Sequence, residues 1–146
     1  MERRSRSALE GVRRVFGDTS YFYALADSKD EHHRRAIELS QEISGLRIEV
    51  ATTWDVVVEA VTLLRYHLGF HAAARFLATL DGDLTVFYPS EPDRQRAVEI
   101  FLSRSRDKEL SLCDAMSYAI VSRHLDWSPC LAFDADFAAL GLTVLR

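Results

Sequence analysis

Four carboxylates, Asp18, Glu59, Asp114 and Asp134, have the types and placement to do chemistry in this 146-residue chain. Asp18 closes the apolar run Val15-Phe16-Gly17, and Asp134 closes Leu131-Ala132-Phe133, so each stands where a buried strand should end. Asp114 completes Ser111-Leu112-Cys113-Asp114, a capping pattern that places it in the first turn of a helix, where the helix dipole favours a carboxylate. Glu59 lies one turn into the helix expected after the second strand. Open parallel sheets bind ligands outside the carboxyl ends of their strands, so these acids could meet at one end of such a sheet. Carboxylates crowded together raise one another's pKa values unless a cation neutralises them. Hard oxygen donors with no His or Cys pattern beside them suit Mg²⁺ or Mn²⁺ better than Zn²⁺.

Each acid also has a plainer role open to it. Asp18 and Asp114 can serve as helix caps, and Asp134 and Asp136 as turn residues. Glu59 can belong to a solvent stripe with Asp55, Thr62 and Tyr66. The remaining candidates carry less. His67 and His71 have helical spacing but straddle Gly69, His32-His33 reads as a helix surface, and Cys113 as a small core filler pointing away from Asp114. No Ser-His-Asp arrangement, P-loop or GxGxxG is present.

The elements that must position the acids follow from apolar periodicity and turn residues. Strands are expected at Val12–Phe16, Leu46–Ala51, Leu84–Tyr88, Cys130–Phe133 and Leu142–Leu145. Helices are expected to begin near Tyr21 behind a Thr19-Ser20 cap, and to cover Asp30–Ile43, Trp54–Leu68 and His71–Leu80. Two more follow Pro89/Pro92 and Ser111, the latter running to about Leu125, and a short one covers Phe137–Leu140. Strands alternating with helices predict an α/β fold, three layers deep, around a central, mostly parallel sheet.

A chain of this length suits one domain, expected over residues 12–146, with residues 1–11 as a basic tail. The net charge of -4 argues against nucleic-acid binding by bulk electrostatics, although 16 of the 18 basic residues are Arg, the side chain suited to bidentate phosphate contacts. Most of these are expected to be solvated. Two distant cysteines, Cys113 and Cys130, no membrane-length apolar run and no secretory signal make a reduced, cytoplasmic setting the simplest expectation.

Four blocks, VFGDTSYFYALAD, TTWDVVVEAVTLL, LSLCDAMSYAI and LAFDADFAALGL, occur in the order and spacing of a known family. Through them the chain from Val12 to Arg146 resembles the PIN-domain ribonucleases, and within these the VapC-like toxins of toxin–antitoxin pairs. The resemblance implies an acidic site at Asp18, Glu59, Asp114 and Asp134 that holds Mg²⁺ or Mn²⁺ and hydrolyses RNA phosphodiester bonds. It also implies supporting roles for Ser20 or Thr19 beside the first acid, with Asp136 as a weaker one. As partners it implies an RNA substrate, a VapB-like antitoxin and a second copy of the chain. Tyr21, Tyr23, Trp54 and Tyr66 are candidates to line a partner groove. Gly17 departs from the family pattern, which usually has a branched apolar residue there.

Other functions remain open at this point. A non-toxin PIN nuclease or a non-catalytic module binding RNA or protein would share the fold. A phosphotransfer receiver also uses a strand-end Asp, but it needs a Lys on a later strand, and Lys29 and Lys108 are not at strand ends.

Overall fold

A computed structural model describes residues 8–106 and 109–146, apart from the side chain of Asp136. The element order is β1 (Arg14–Gly17), α1 (Thr19–Ala26), α2 (His33–Gly45), β2 (Glu49–Thr53), α3 (Trp54–Leu68), α4 (Phe70–Ala78), β3 (Thr85–Phe87), α5 (Glu91–Arg104), α6 (Leu112–His124), β4 (Cys130–Leu131), α7 (Ala135–Ala138) and β5 (Val144–Leu145). The strands form one sheet in the order β3-β2-β1-β4-β5, and every pairing is parallel. The expected alternation therefore yields a wholly parallel sheet.

With this strand order, the right-handed rule for parallel crossovers puts the helices between β1 and β3 on one face and those between β3 and β5 on the other, giving three layers. The central strand is buried as such a position requires, with Val15 and Phe16 inaccessible to solvent. Ala36, Leu39 and Ile43 form the apolar stripe of α2, as the periodicity predicts. On the other face, α6 is buried almost all round from Asp114 to Val121.

Strand β1 is where the chain direction across the sheet reverses. β2 and β3 lie to one side of it, β4 and β5 to the other. A crevice at the carboxyl ends of β1 and β4 is the expected ligand position in such a sheet.

Three local expectations change. The expected tail reaches into the packed domain, because Leu9 is buried in the core and its carbonyl accepts the N–H of Val12 at 3.1 Å; residues 1–7 lie outside the described part. The cap of α1 is Asp18 itself, not the Thr19-Ser20 pair, since Asp18 Oδ2 accepts the Ser20 N–H. Helix α2 begins at His33, behind two successive turns at Asp27 and Asp30. Among the described residues, no helix is long and apolar enough to cross a membrane.

Candidate active site

The four acids come from four separate parts of the chain and line one cleft of about 340 Å³, together with Thr19, Ser20, Tyr23, Asp30, His32, Leu63, Ser111 and Phe133. Asp18 follows β1 directly, Glu59 lies on α3, Asp114 is in the first turn of α6 and Asp134 lies between β4 and α7. A larger apolar groove of about 600 Å³ runs past Tyr21, Phe22, Ile43 and Phe76. None of the four acids lines it, so chemistry and size point to different places, and the chemistry decides.

Asp18 is held at the strand tip by the sheet. Its N–H donates to the Leu131 carbonyl of β4 at 3.0 Å, and the Thr52 hydroxyl of β2 donates to the Gly17 carbonyl at 2.8 Å. Its carboxylate caps α1, accepting the Ser20 N–H at 3.3 Å and the Ser20 hydroxyl at 2.8 Å. The Ser20 hydroxyl in turn accepts the Phe133 N–H at 3.0 Å, which ties the segment after β4 to the first acid.

Asp114 is the third helical residue of a reciprocal capping box. Its N–H donates to Ser111 Oγ at 3.0 Å, and its Oδ2 accepts the Ser111 N–H at 3.1 Å. Asp18 and Asp114 are thus helix caps that also line the same cleft. Glu59 is not part of a solvent stripe. It lines the cleft with Leu63, one turn further along α3.

Burial dominates the electrostatics of the acids, and their mutual charge adds to it. Burial pushes Asp18 up to about 7; the Ser20 bonds oppose this and the charge of Asp114 adds to it. Asp114 is also raised, first by burial and further by Glu59 and Asp134, against the lowering effect of its Ser111 bonds. Burial, and then the charge of Glu59, raise the Cys113 thiol well above the ordinary thiol range. A thiol so disfavoured as thiolate is a poor nucleophile.

His67 packs edge-on against Tyr23 and Tyr66, and His71 lies beside Phe70, so neither joins the cleft. Of the expected groove aromatics, Tyr21 is core, whereas Trp54 and Tyr66 are exposed and Tyr23 lines the cleft. The side chain of Asp136 lies outside the described residues.

His32 is the residue that sequence reasoning missed. It lines the cleft and lies flat on Phe133, with ring centroids 4.6 Å apart and 1° between the planes. Its one local signal is the Asp30-x-His32 turn, in which the His32 N–H donates to Asp30 Oδ1 at 2.8 Å.

The donor set fits a hard divalent cation in kind. Among the described residues, five carboxylates and no Lys or Arg line the cleft, and Thr19 Oγ1 is buried there without a hydrogen-bond partner. No three His, Cys, Asp or Glu among the described residues are grouped closely enough to hold a metal ion. That wider spacing is expected of like charges facing one another.

The PIN domain family model matches residues 15–141. The 23S rRNA-specific endonuclease VapC20 of Mycobacterium tuberculosis is 30% identical over 132 residues, which cover 90% of this chain and 98% of that protein. A VapC ribonuclease of Archaeoglobus fulgidus is 27% identical over 106 residues, covering 70% of this chain and 67% of that one. The crystal structure of the M. tuberculosis VapC20, described as a Sarcin-Ricin loop cleaving toxin, superposes with a TM-score of 0.78 over 90% of this chain and 98% of that one. VapBC2 from Rickettsia felis, bound to a DNA fragment from its promoter, matches with a TM-score of 0.60 at 12% identity, a likeness of fold alone.

Proposed function

Because the chain belongs to the PIN domain family, we propose that it is a Mg²⁺- or Mn²⁺-dependent endoribonuclease and the toxin of a toxin–antitoxin pair. The observation that carries this reading is the meeting of Asp18, Glu59, Asp114 and Asp134 in one cleft at the carboxyl end of a parallel sheet. Asp18, Asp114, Glu59 and Asp134 would hold the ion, which supplies the positive charge that activates water and stabilises an in-line displacement at phosphorus.

The protein's own groups do the positioning. Ser20 fixes the Asp18 carboxylate by two hydrogen bonds, and the Ser111 capping box fixes Asp114. Both acids are therefore oriented by bonds to their own helix starts. Thr19 offers a buried hydroxyl beside the first acid, and Leu63 supplies an apolar wall next to Glu59.

The name of the Mycobacterium relative makes 23S ribosomal RNA the first substrate to assay. Purified protein with Mg²⁺ or Mn²⁺ should cut it at discrete positions. Excess EDTA should abolish the cleavage, and cleavage undiminished in chelator would sink the metal mechanism. A VapB-like antitoxin is the proposed partner, laying an Arg-bearing segment over Asp18, Glu59 and Asp114, where a guanidinium pairs with carboxylates in place of metal. The active form is proposed to be a homodimer. Co-expression with the neighbouring small reading frame, followed by light scattering and an RNase assay, tests both. A monomer indifferent to that neighbour would retire the toxin reading and leave the nuclease one. A non-catalytic module is disfavoured because all four acids are kept in one cleft.

A further inference from the structure

His32 and Phe133 form a flat aromatic wall at the edge of the acidic cleft, and the nuclease reading gives that wall no task. The rings are parallel within 1° at 4.6 Å, and both residues line the cleft that holds the four acids. Phe133 covers one face of the imidazole, yet 42% of the His32 side chain remains exposed.

The wall is also fixed relative to the first acid. The Phe133 N–H is bound by the Ser20 hydroxyl, and that hydroxyl donates to Asp18. On the other side, Asp30 Oδ1 binds the N–H of His32 just before α2 begins. A group resting on the imidazole would therefore keep a set position relative to the Asp18 carboxylate.

The cleft needs such a contact. Among the described residues its lining carries Asp18, Asp30, Glu59, Asp114 and Asp134, with His32 as the one basic side chain. A polyanion gains little there from direct charge pairing with side chains. Stacking of a nucleobase on an aromatic face does not depend on charge neutralisation, and it contributes about 1–3 kcal/mol per base in single-stranded recognition.

We propose that His32, backed by Phe133, is a stacking platform for the nucleobase next to the scissile phosphate. This rests on the nuclease reading and adds a base subsite to it. His32 acts through substrate binding: the seated base anchors the strand beside the acids equally in the ground state and the transition state.

The test uses the full chain and a short oligoribonucleotide spanning a cut site mapped on 23S ribosomal RNA. His32→Ala should raise KM by about tenfold and change kcat little, whereas His32→Phe, which keeps a flat ring, should cut like the unsubstituted protein. Replacing the nucleotide on one side of the cut by an abasic one should cost the unsubstituted protein a similar factor and cost His32→Ala nothing further. If His32→Ala does not fold by circular dichroism, His32→Gln takes its place with the same expectation. Loss in both His32→Phe and His32→Ala overturns the platform and assigns the work to an imidazole nitrogen. An equal abasic penalty with and without His32 also overturns it. Cutting that ignores His32 sinks this proposal alone, whereas failure of the unsubstituted protein to cut any RNA sinks the nuclease reading and the platform with it.

Discussion

Ser20 and Phe133 are 113 residues apart in the chain, yet the Phe133 N–H donates to the Ser20 hydroxyl at 3.0 Å. The same hydroxyl donates to Asp18 at 2.8 Å, so one small side chain joins the cap of α1, the first acid and the segment leading to Asp134.

Ser20→Ala should therefore disturb stability and site together. It removes one bond to the Asp18 carboxylate and leaves the Phe133 N–H unpaired, at a cost of about 1–3 kcal/mol. Urea unfolding should show that loss, and RNA cleavage should fall more than stability alone explains. Ser20→Thr, which keeps the hydroxyl, should retain most of both. Wild-type cleavage by Ser20→Ala would show that the tie has no bearing on the site.

The buried charge of Asp18 gives a pH signature in the absence of divalent ions. Its pKa rises from 3.8 to about 7, mainly through burial. Between those values the folded chain keeps a proton that the unfolded chain has released. This contribution to stability is complete below the unfolded pKa and is lost as pH climbs through about 7. The shift is worth up to ~4 kcal/mol. Asp18→Asn keeps an oxygen to cap α1 and cannot ionise. In EDTA it should melt higher than the unsubstituted protein at pH 8 and at a similar temperature near pH 4, while cutting no RNA. A lower melting temperature at pH 8 would mean that the cap needs the charge.

Packing favours glycine at position 17. A Cβ there would stand 2.5 Å from Phe22 Cζ, and the Phe22 ring is itself wedged between Tyr21 and Phe76, with centroids 5.4 and 5.2 Å away. Gly17→Ala should cost about 1–3 kcal/mol by overpacking. Trimming the ring with Phe22→Leu in the same chain should recover part of that, and strictly additive losses in denaturant titrations would contradict the clash.

Asp93 should matter for stability and little for cleavage. Its Oδ2 accepts the Ser90 N–H and hydroxyl at 2.9 and 2.8 Å. Its Oδ1 meets Arg123 Nε at 2.9 Å and His124 Nε2 at 2.8 Å, so it joins the start of α5 to the end of α6. Burial pushes its pKa up, but the Ser90 and His124 bonds outweigh that and hold it at about 2. A depressed carboxylate stabilises above its unfolded pKa and loses that effect as pH falls toward 2. Asp93→Ala should cost about 2–3 kcal/mol at pH 7, with the gap to the unsubstituted protein narrowing in acid. A constant gap would contradict a charge-based tie.

What the sequence determined by itself is local. Strand–helix alternation and the Ser111 capping box are written in apolar periodicity and in side chains that bond their own helix ends, and the structure keeps both. The placing of acids at strand tips was legible for the same reason, because a buried strand ends where a charge appears. Tertiary structure decided which side chains meet. Glu59 lines the cleft beside the other acids, Tyr21 sinks into the core and His32 stacks on Phe133. Those outcomes depend on β4 pairing with β1 and on how α2, α3 and α6 lie against the sheet. Contacts between residues far apart in the chain leave no periodic trace in the sequence: nothing near His32 announces Phe133, because only the β1–β4 pairing brings their segments together.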